Sequence, residues 1–220
     1  MKLIMVAGGT LDEAWFSEMF PENSSVRKEQ YKYMGIDAGA IRLIRMGVTP
    51  DYVLGDFDSV SPEEAAEILG CGAEKKVLNP IKDETDLEAA LHWAVDISPD
   101  SILIFGATGG RMDHTLVSLQ LLSIPLKANI PAVILDPGNR IRRIRSSVML
   151  RKEEQYGKYI SLIPVGGEVK GIFLSGFKYS GSKISLSGNS SLGISNELTE
   201  DAGEIRFESG ELLLIESRDW

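Results

Sequence analysis

The sequence predicts an α/β domain followed by an all-β domain, and two observations carry that reading. From residue 2 to residue 135, short apolar runs alternate with stretches of helical periodicity. That alternation implies a mostly parallel sheet covered by helices on both faces. After Asp136-Pro137-Gly138 the helical pattern stops, and half of the 22 glycines lie from Gly138 onward. Short alternating runs take over, as in a small β-sandwich. The expected domains are residues 1–138 and 139–220.

The elements follow in order. Residues 2–7 form an apolar strand closed by Gly8-Gly9-Thr10, and residues 11–20 can be helical. Residues 21–30 are polar and loop-like. Tyr31–Asp37 reads as a second strand, followed by a short helix to Met46, and Asp51–Gly55 as a third strand. Ser61, Pro62 and Glu64 supply a cap, a first-turn proline and a capping-box glutamate for the next helix. Lys75–Leu78 is a fourth strand. Leu87, Ala90, Leu91, Ala94 and Val95 keep the helical apolar spacing behind a Thr85/Glu88 capping box. Ile102–Phe105, a helix from Met112 to Leu122, and Ala132–Leu135 complete the first domain. In the second, Tyr159–Pro164, Gly171–Leu174, Ile205–Phe207 and Leu212–Ile215 are strand runs, and Ser209-Gly210 marks a hairpin.

Composition narrows the function classes. Net charge is −9, with no basic run long enough to offset it, which argues against a nucleic-acid partner. The N-terminal apolar run is too short for a signal peptide, and no apolar stretch is long enough to span a membrane. The single cysteine, Cys71, allows no internal disulfide and fits a reducing, cytoplasmic setting.

Chemistry-bearing residues fall at successive strand ends. In an open α/β sheet these ends line the ligand crevice. Asp37 ends the second strand, and Gly55-Asp56-Phe57-Asp58-Ser59 ends the third. Alternation along an extended segment predicts that Asp56 and Asp58 share one side, with Phe57 on the other. Two adjacent carboxylates favour a cation between them, and Mg²⁺ is a hard ion suited to oxygen ligands. Lys82-Asp83-Glu84-Thr85-Asp86 follows the fourth strand. Gly106 to His114 follows the fifth, where Gly109 and Gly110 expose backbone N–H groups and Arg111 offers a planar fork to phosphate. No Walker A loop or GxGxxG fingerprint occurs. His92 reads as solvated, and His114 as either a ligand contact or a cap. The cluster Arg140, Arg142, Arg143 and Arg145 reads as a solvated strand face, and Trp15, Trp93 and Trp220 as packing residues.

Taken together, Asp37-Ala38-Gly39-Ala40, Gly55-Asp56-Phe57-Asp58-Ser59, Asp83-Glu84-Thr85-Asp86, Gly109-Gly110-Arg111-Met112-Asp113-His114 and Gly193-Ile194-Ser195-Asn196-Glu197 resemble the thiamine pyrophosphokinase family. The resemblance implies transfer of the pyrophosphoryl group of ATP to the thiamine hydroxyl, giving thiamine diphosphate and AMP. It implies Asp56, Asp58 and Asp86 as Mg²⁺ ligands, with Lys82 and Asp83 beside the reacting groups. It implies Asp37, Gly109, Gly110, Arg111, Asp113 and His114 as ATP-binding, and Ser195 and Asn196 as thiamine-binding. It further implies a homodimer with active sites between the α/β domain of one subunit and the β domain of the other. The chain departs from the family pattern at Ala38 and Ile41, where a glycine and an asparagine are usual. A pyrophosphokinase for another alcohol, such as a pterin, and a non-catalytic thiamine- or nucleotide-binding module are the alternatives.

Overall fold

The computed structural model describes residues 1–20, 30–79, 81 and 83–219. Trp220 and Lys82 lie outside the described residues. Two compact units divide at Pro137/Gly138.

Unit 1 contains strands β1 (Lys2–Val6), β2 (Tyr31–Ile36), β3 (Tyr52–Gly55), β4 (Glu74–Val77), β5 (Ser101–Phe105) and β6 (Ala132–Asp136). They pair in parallel in the order β4-β3-β2-β1-β5-β6. Leu3, Ile4, Met5 and Val6 are all fully buried, so both faces of β1 are covered. That is why this strand reads as an unbroken apolar run. β4 is the edge, exposed along its length, and its two lysines suit that position.

The helices are α1 (Glu13–Met19), α2 (Ala38–Arg45), α3 (Pro62–Gly70), α4 (Asp86–Ile97), α5 (Met112–Leu121) and a short α6 (Ser123–Lys127). Ser61 and Glu64 make the expected reciprocal capping box for α3, and at α4 the Thr85 half of the expected box forms, its hydroxyl accepting from Glu88 N–H. Trp15 and Phe16 of α1 pack on Phe105, with ring centroids 5.7 and 5.0 Å away. Trp93 packs edge-on to Tyr52 at 5.3 Å.

Unit 2 is a two-layered β structure. Its strands are β7 (Asn139–Ile144), β8 (Val148–Arg151), β9 (Tyr159–Ser175), β10 (Gly181–Leu186), β11 (Asn196–Glu197), β12 (Ala202–Arg206) and β13 (Ser209–Ser217). The first half of β9 pairs with β13 and β11, and its second half with β12 and β10. β7 completes the first layer against β13, and β8 the second against β12. The two runs expected at Tyr159–Pro164 and Gly171–Leu174 are thus one strand. Gly166, with a φ of 74°, lets it bend from one layer into the other. Ile160, Leu162, Val169, Ile172, Ile205, Leu212 and Leu214 fill the space between the layers.

The arginine cluster departs from expectation. Arg140, Arg142 and Arg143 are half-buried, because β13 sets acids opposite them, while Arg145, just past the end of β7, is exposed as expected. Glu216 is fully buried and pairs in register with Arg140. Arg140 donates from Nε and Nη2 at 2.7 and 2.6 Å, and Arg142 adds a third bond at 3.1 Å. The Tyr156 N–H donates a fourth at 3.2 Å. Arg143 pairs with Glu211 at 2.6 Å. Burial pushes the Arg142 guanidinium pKa down, and the Glu216 charge works against that shift. Removing the carboxylate would leave two arginines partly buried without their counter-ion. Glu216→Gln is therefore expected to destabilise the fold by about 3 kcal/mol or more in urea unfolding. A loss under about 1 kcal/mol, the range of surface pairs, would contradict this account of unit 2.

Candidate active site

In unit 1 the chain turns away from the β1/β5 junction in both directions. β2, β3 and β4 lie on one side and β6 on the other. Such a switch point opens a crevice beyond the carboxyl ends of the strands. Gly8-Gly9-Thr10 follows β1 and Gly106 to Gly110 follows β5. The two loops are knitted by Gly9 N–H to Gly106 O (2.8 Å) and Thr10 N–H to Thr108 O (3.1 Å). A Cβ on Gly9 would sit 2.4 Å from the Gly106 oxygen, so only glycine permits the approach. The Thr108 hydroxyl donates to Asp136 at 2.8 Å, and Arg42 donates to the Gly9 carbonyl. Sequence reasoning treats Gly8-Gly9-Thr10 as a turn alone. A double glycine directly after a buried strand was the signal that it borders the crevice.

Three carboxylates come together beside this junction. Asp37, Asp56 and Asp58 each offer an oxygen within 4.8 Å of the others. β2 and β3 are adjacent, with Ile36 opposite Leu54, and this register sets their ends side by side. Gly55 permits close contact, since a Cβ there would lie 3.0 Å from Asp37 Cα. Asp37 sits at the start of α2 without capping it, with a φ of 49°. One of its oxygens accepts from the Ser59 hydroxyl. The other is buried and has no hydrogen-bond partner among the described residues.

The route by which Asp56 and Asp58 meet differs from expectation. β3 ends at Gly55, and Phe57 is left-handed (φ 58°) rather than extended. The turn lets Asp58 N–H approach Asp56 Oδ1 at 3.3 Å. The two acids share a side because the chain turns between them, and strand alternation plays no part.

Asp86 is half-buried in the first turn of α4 and is not one of the three clustered acids. Asp83 is exposed just before it. Gly109 and Gly110 take φ values of 79° and 69°, which glycine adopts without strain. Arg111 stands at the start of α5 and already spends part of its fork within the loop. Its Nε and Nη2 donate to Asp113 at 3.1 and 2.6 Å. Asp113 also accepts from His114 N–H at 2.9 Å. The Arg111 guanidinium and this N–H hold the Asp113 carboxyl down at about 2. Ile41, where the family usually has asparagine, is 3% exposed and packs with Phe57.

In unit 2, Ser195 is exposed and left-handed (φ 57°). Asn196 is buried, and its amide is spent on backbone. Oδ1 accepts from Tyr179 N–H and Nδ2 donates to Tyr179 O, both at 2.9 Å. Asn196 therefore fixes the segment that presents Tyr179, an aromatic side chain 62% exposed. Sequence reasoning overlooked Tyr179, because nothing local ties residue 179 to residue 196.

Two family models match the chain. "Thiamin pyrophosphokinase, catalytic domain" covers residues 24–134 and "Thiamin pyrophosphokinase, vitamin B1 binding domain" covers residues 146–212. The chain belongs to the thiamine pyrophosphokinase family. It is 36% identical to the thiamine pyrophosphokinase of Bacillus subtilis (strain 168) over all of both chains. The crystal structure of the Bacillus subtilis thiamine pyrophosphokinase superposes with a TM-score of 0.85 at 34% identity, covering 100% of each chain. That of the Geobacillus thermodenitrificans enzyme gives 0.83 at 32% identity, covering 100% of this chain and 98% of the other. Yeast thiamin pyrophosphokinase shares the fold at 14% identity, with a TM-score of 0.78 over 98% of this chain and 86% of that one.

The Arg111–Asp113 pair gives a pH expectation. A depressed carboxyl keeps its ion pair above its ordinary value of 3.8 and loses it as pH falls through about 2. In Arg111→Gln, carbon-detected NMR should find the Asp113 carboxyl titrating clearly above about 2, moved toward 3.8 but still held below it by the His114 N–H. A midpoint still near 2 would show that Arg111 is not the cause.

Proposed function

We propose that this chain is an ATP-dependent thiamine pyrophosphokinase that works as a Mg²⁺ enzyme. The observation that carries the metal part is the trio Asp37, Asp56 and Asp58, with oxygens within 4.8 Å and one buried Asp37 oxygen left without a hydrogen-bond partner among the described residues. Three like charges this close repel unless a cation lies among them, and the oxygen-only donor set suits Mg²⁺. Asp86, in the first turn of α4, would be a further carboxylate to help hold the ion. When bound, the metal neutralises charge on the phosphate oxygens of ATP.

The remaining work belongs to the chain's own residues. The glycine loop at 109–110 offers backbone N–H groups to the polyphosphate, and Arg111 offers its guanidinium edge not used by Asp113. The thiamine hydroxyl oxygen attacks the β-phosphorus. The bond from that phosphorus to the α–β bridging oxygen breaks, AMP leaves with the oxygen, and the hydroxyl proton is lost. We assign its acceptance to Asp83 or Asp86, which lie just before and in the first turn of α4. Lys82, adjacent in sequence, is the cation assigned beside these groups. Ser195, and Tyr179 on the segment fixed by Asn196, are assigned to thiamine.

We also propose a homodimer in the cytoplasm, with each site completed by the partner. Exposed apolar side chains support it: Met112, Leu116 and Val117 on α5, and Leu192 and Ile194 beside Ser195. No helix among the described residues is long and apolar enough to cross a membrane.

Incubation with ATP, Mg²⁺ and thiamine should yield AMP and thiamine diphosphate in equal amounts. ADP with thiamine monophosphate would contradict pyrophosphoryl transfer. Asp58→Asn should lower kcat by about a hundredfold or more, roughly 3 kcal/mol of transition-state stabilisation, with an unchanged circular dichroism spectrum. Mixing Asp58→Asn with a Ser195→Tyr variant should restore part of the activity if sites are shared between subunits; no recovery in a verified mixed dimer would contradict sharing.

A further inference from the structure

Phe57 stands between two metal-site acids and behaves unlike its neighbours. Asp56 is half-buried and Asp58 exposed, yet the Phe57 ring is 7% exposed. It packs in a cluster with Ala40, Ile41, Val53, Ile68 and Ala73. Its backbone is left-handed, with a φ of 58°. For a bulky side chain that conformation is uncommon and costly, and it persists only where the surroundings enforce it.

What enforces it is the burial of the ring. An extended residue 57 would carry Asp58 onward along the strand direction. The left-handed turn instead folds the chain back, so that Asp58 N–H approaches Asp56 Oδ1 at 3.3 Å and both carboxylates come within 4.8 Å of Asp37. Three carboxylates so close would drive the turn open when no cation is present. A glycine at 57 would adopt the same φ without strain but would have nothing to hold it there. Phenylalanine accepts the strain and anchors the turn, since removing a phenyl ring from water outweighs one left-handed residue.

We propose that Phe57 is a positioning residue for the metal site. Its buried ring pins a strained turn and thereby holds Asp56 and Asp58 in ligating position beside Asp37 before the ion arrives. This rests on the metal reading given above. Phe57 touches neither ion nor substrate, and it acts through the two acids on either side of it.

The test is Mn²⁺ affinity of the free protein, read by electron paramagnetic resonance of unbound Mn²⁺ at a temperature where circular dichroism shows every variant folded. Phe57→Ala and Phe57→Gly should each weaken Mn²⁺ binding about tenfold or more, the scale seen when groups that orient ligands are lost. Phe57→Leu keeps a buried anchor and should stay within about threefold of the wild type. Ile102→Ala, a core truncation in β5 away from the turn, should leave Mn²⁺ affinity unchanged and so separates positioning from general loss of stability. Gly relieves the backbone strain, so Phe57→Gly should be at least as stable as Phe57→Ala while binding Mn²⁺ no better. Wild-type affinity in Phe57→Ala or Phe57→Gly, or a loss of the same size in Phe57→Leu or Ile102→Ala, overturns the proposal. If the wild type binds no Mn²⁺, or if Asp58→Asn binds it unchanged, the metal reading itself fails, and the proposal with it.

Discussion

Mutual repulsion among Asp37, Asp56 and Asp58 is the constraint on which the architecture around the site depends. Two unit charges about 4 Å apart cost about 4 kcal/mol at the effective dielectric of a protein surface. The fold meets this cost with rigidity. The carboxylates sit at the ends of β2 and β3, adjacent strands of a sheet whose central members are buried on both faces. Gly55 lets the two strand ends approach, Ser59 donates to Asp37, and the left-handed Phe57 turns Asp58 back toward Asp56. Each device brings charge together where an unconstrained chain would separate it. Tolerance of such frustration at one place is what a binding site shows.

The same logic organises the rest of unit 1. The β1/β5 junction supplies the crevice, and its loops are closed by glycine contacts that no other residue allows. The Arg111 fork is oriented by Asp113 in advance, which under the proposed function would lower the entropy lost on taking up a phosphate. Unit 2 solves a different problem. Its buried Glu216 is compensated by two arginines from β7 and a backbone N–H. Buried Asn196 plays an equivalent part by clamping the segment of exposed Tyr179 through backbone bonds.

Much of this was legible in the sequence, for physical reasons. Strands buried on both faces must be apolar throughout, so β1, β3, β5 and β6 announced themselves. Capping boxes are local, so the starts of α3 and α4 at Ser61 and Thr85 could be read. Acids and glycines gathered at strand ends, because that is where an open sheet places ligands. What stayed hidden depends on distant partners. Asp37 joins Asp56 and Asp58 because β2 lies against β3, a pairing that no local signal in the sequence gives. The arginines of β7 read as a solvated strand face, since their burial and pairing need Glu216, 76 residues from Arg140. The continuity of β9 was masked by Gly166 and Gly167, which look like a break and serve as a bend. The turn at Phe57 escaped detection because an aromatic residue is a poor signal for a left-handed backbone.

The most direct test of this account is anomalous scattering from crystals of the protein soaked in Mn²⁺. The account predicts one strong peak bounded by carboxylate oxygens of Asp37, Asp56 and Asp58. A peak ligated by Asp86 without Asp37, or no peak at the three acids under saturating Mn²⁺, would contradict it.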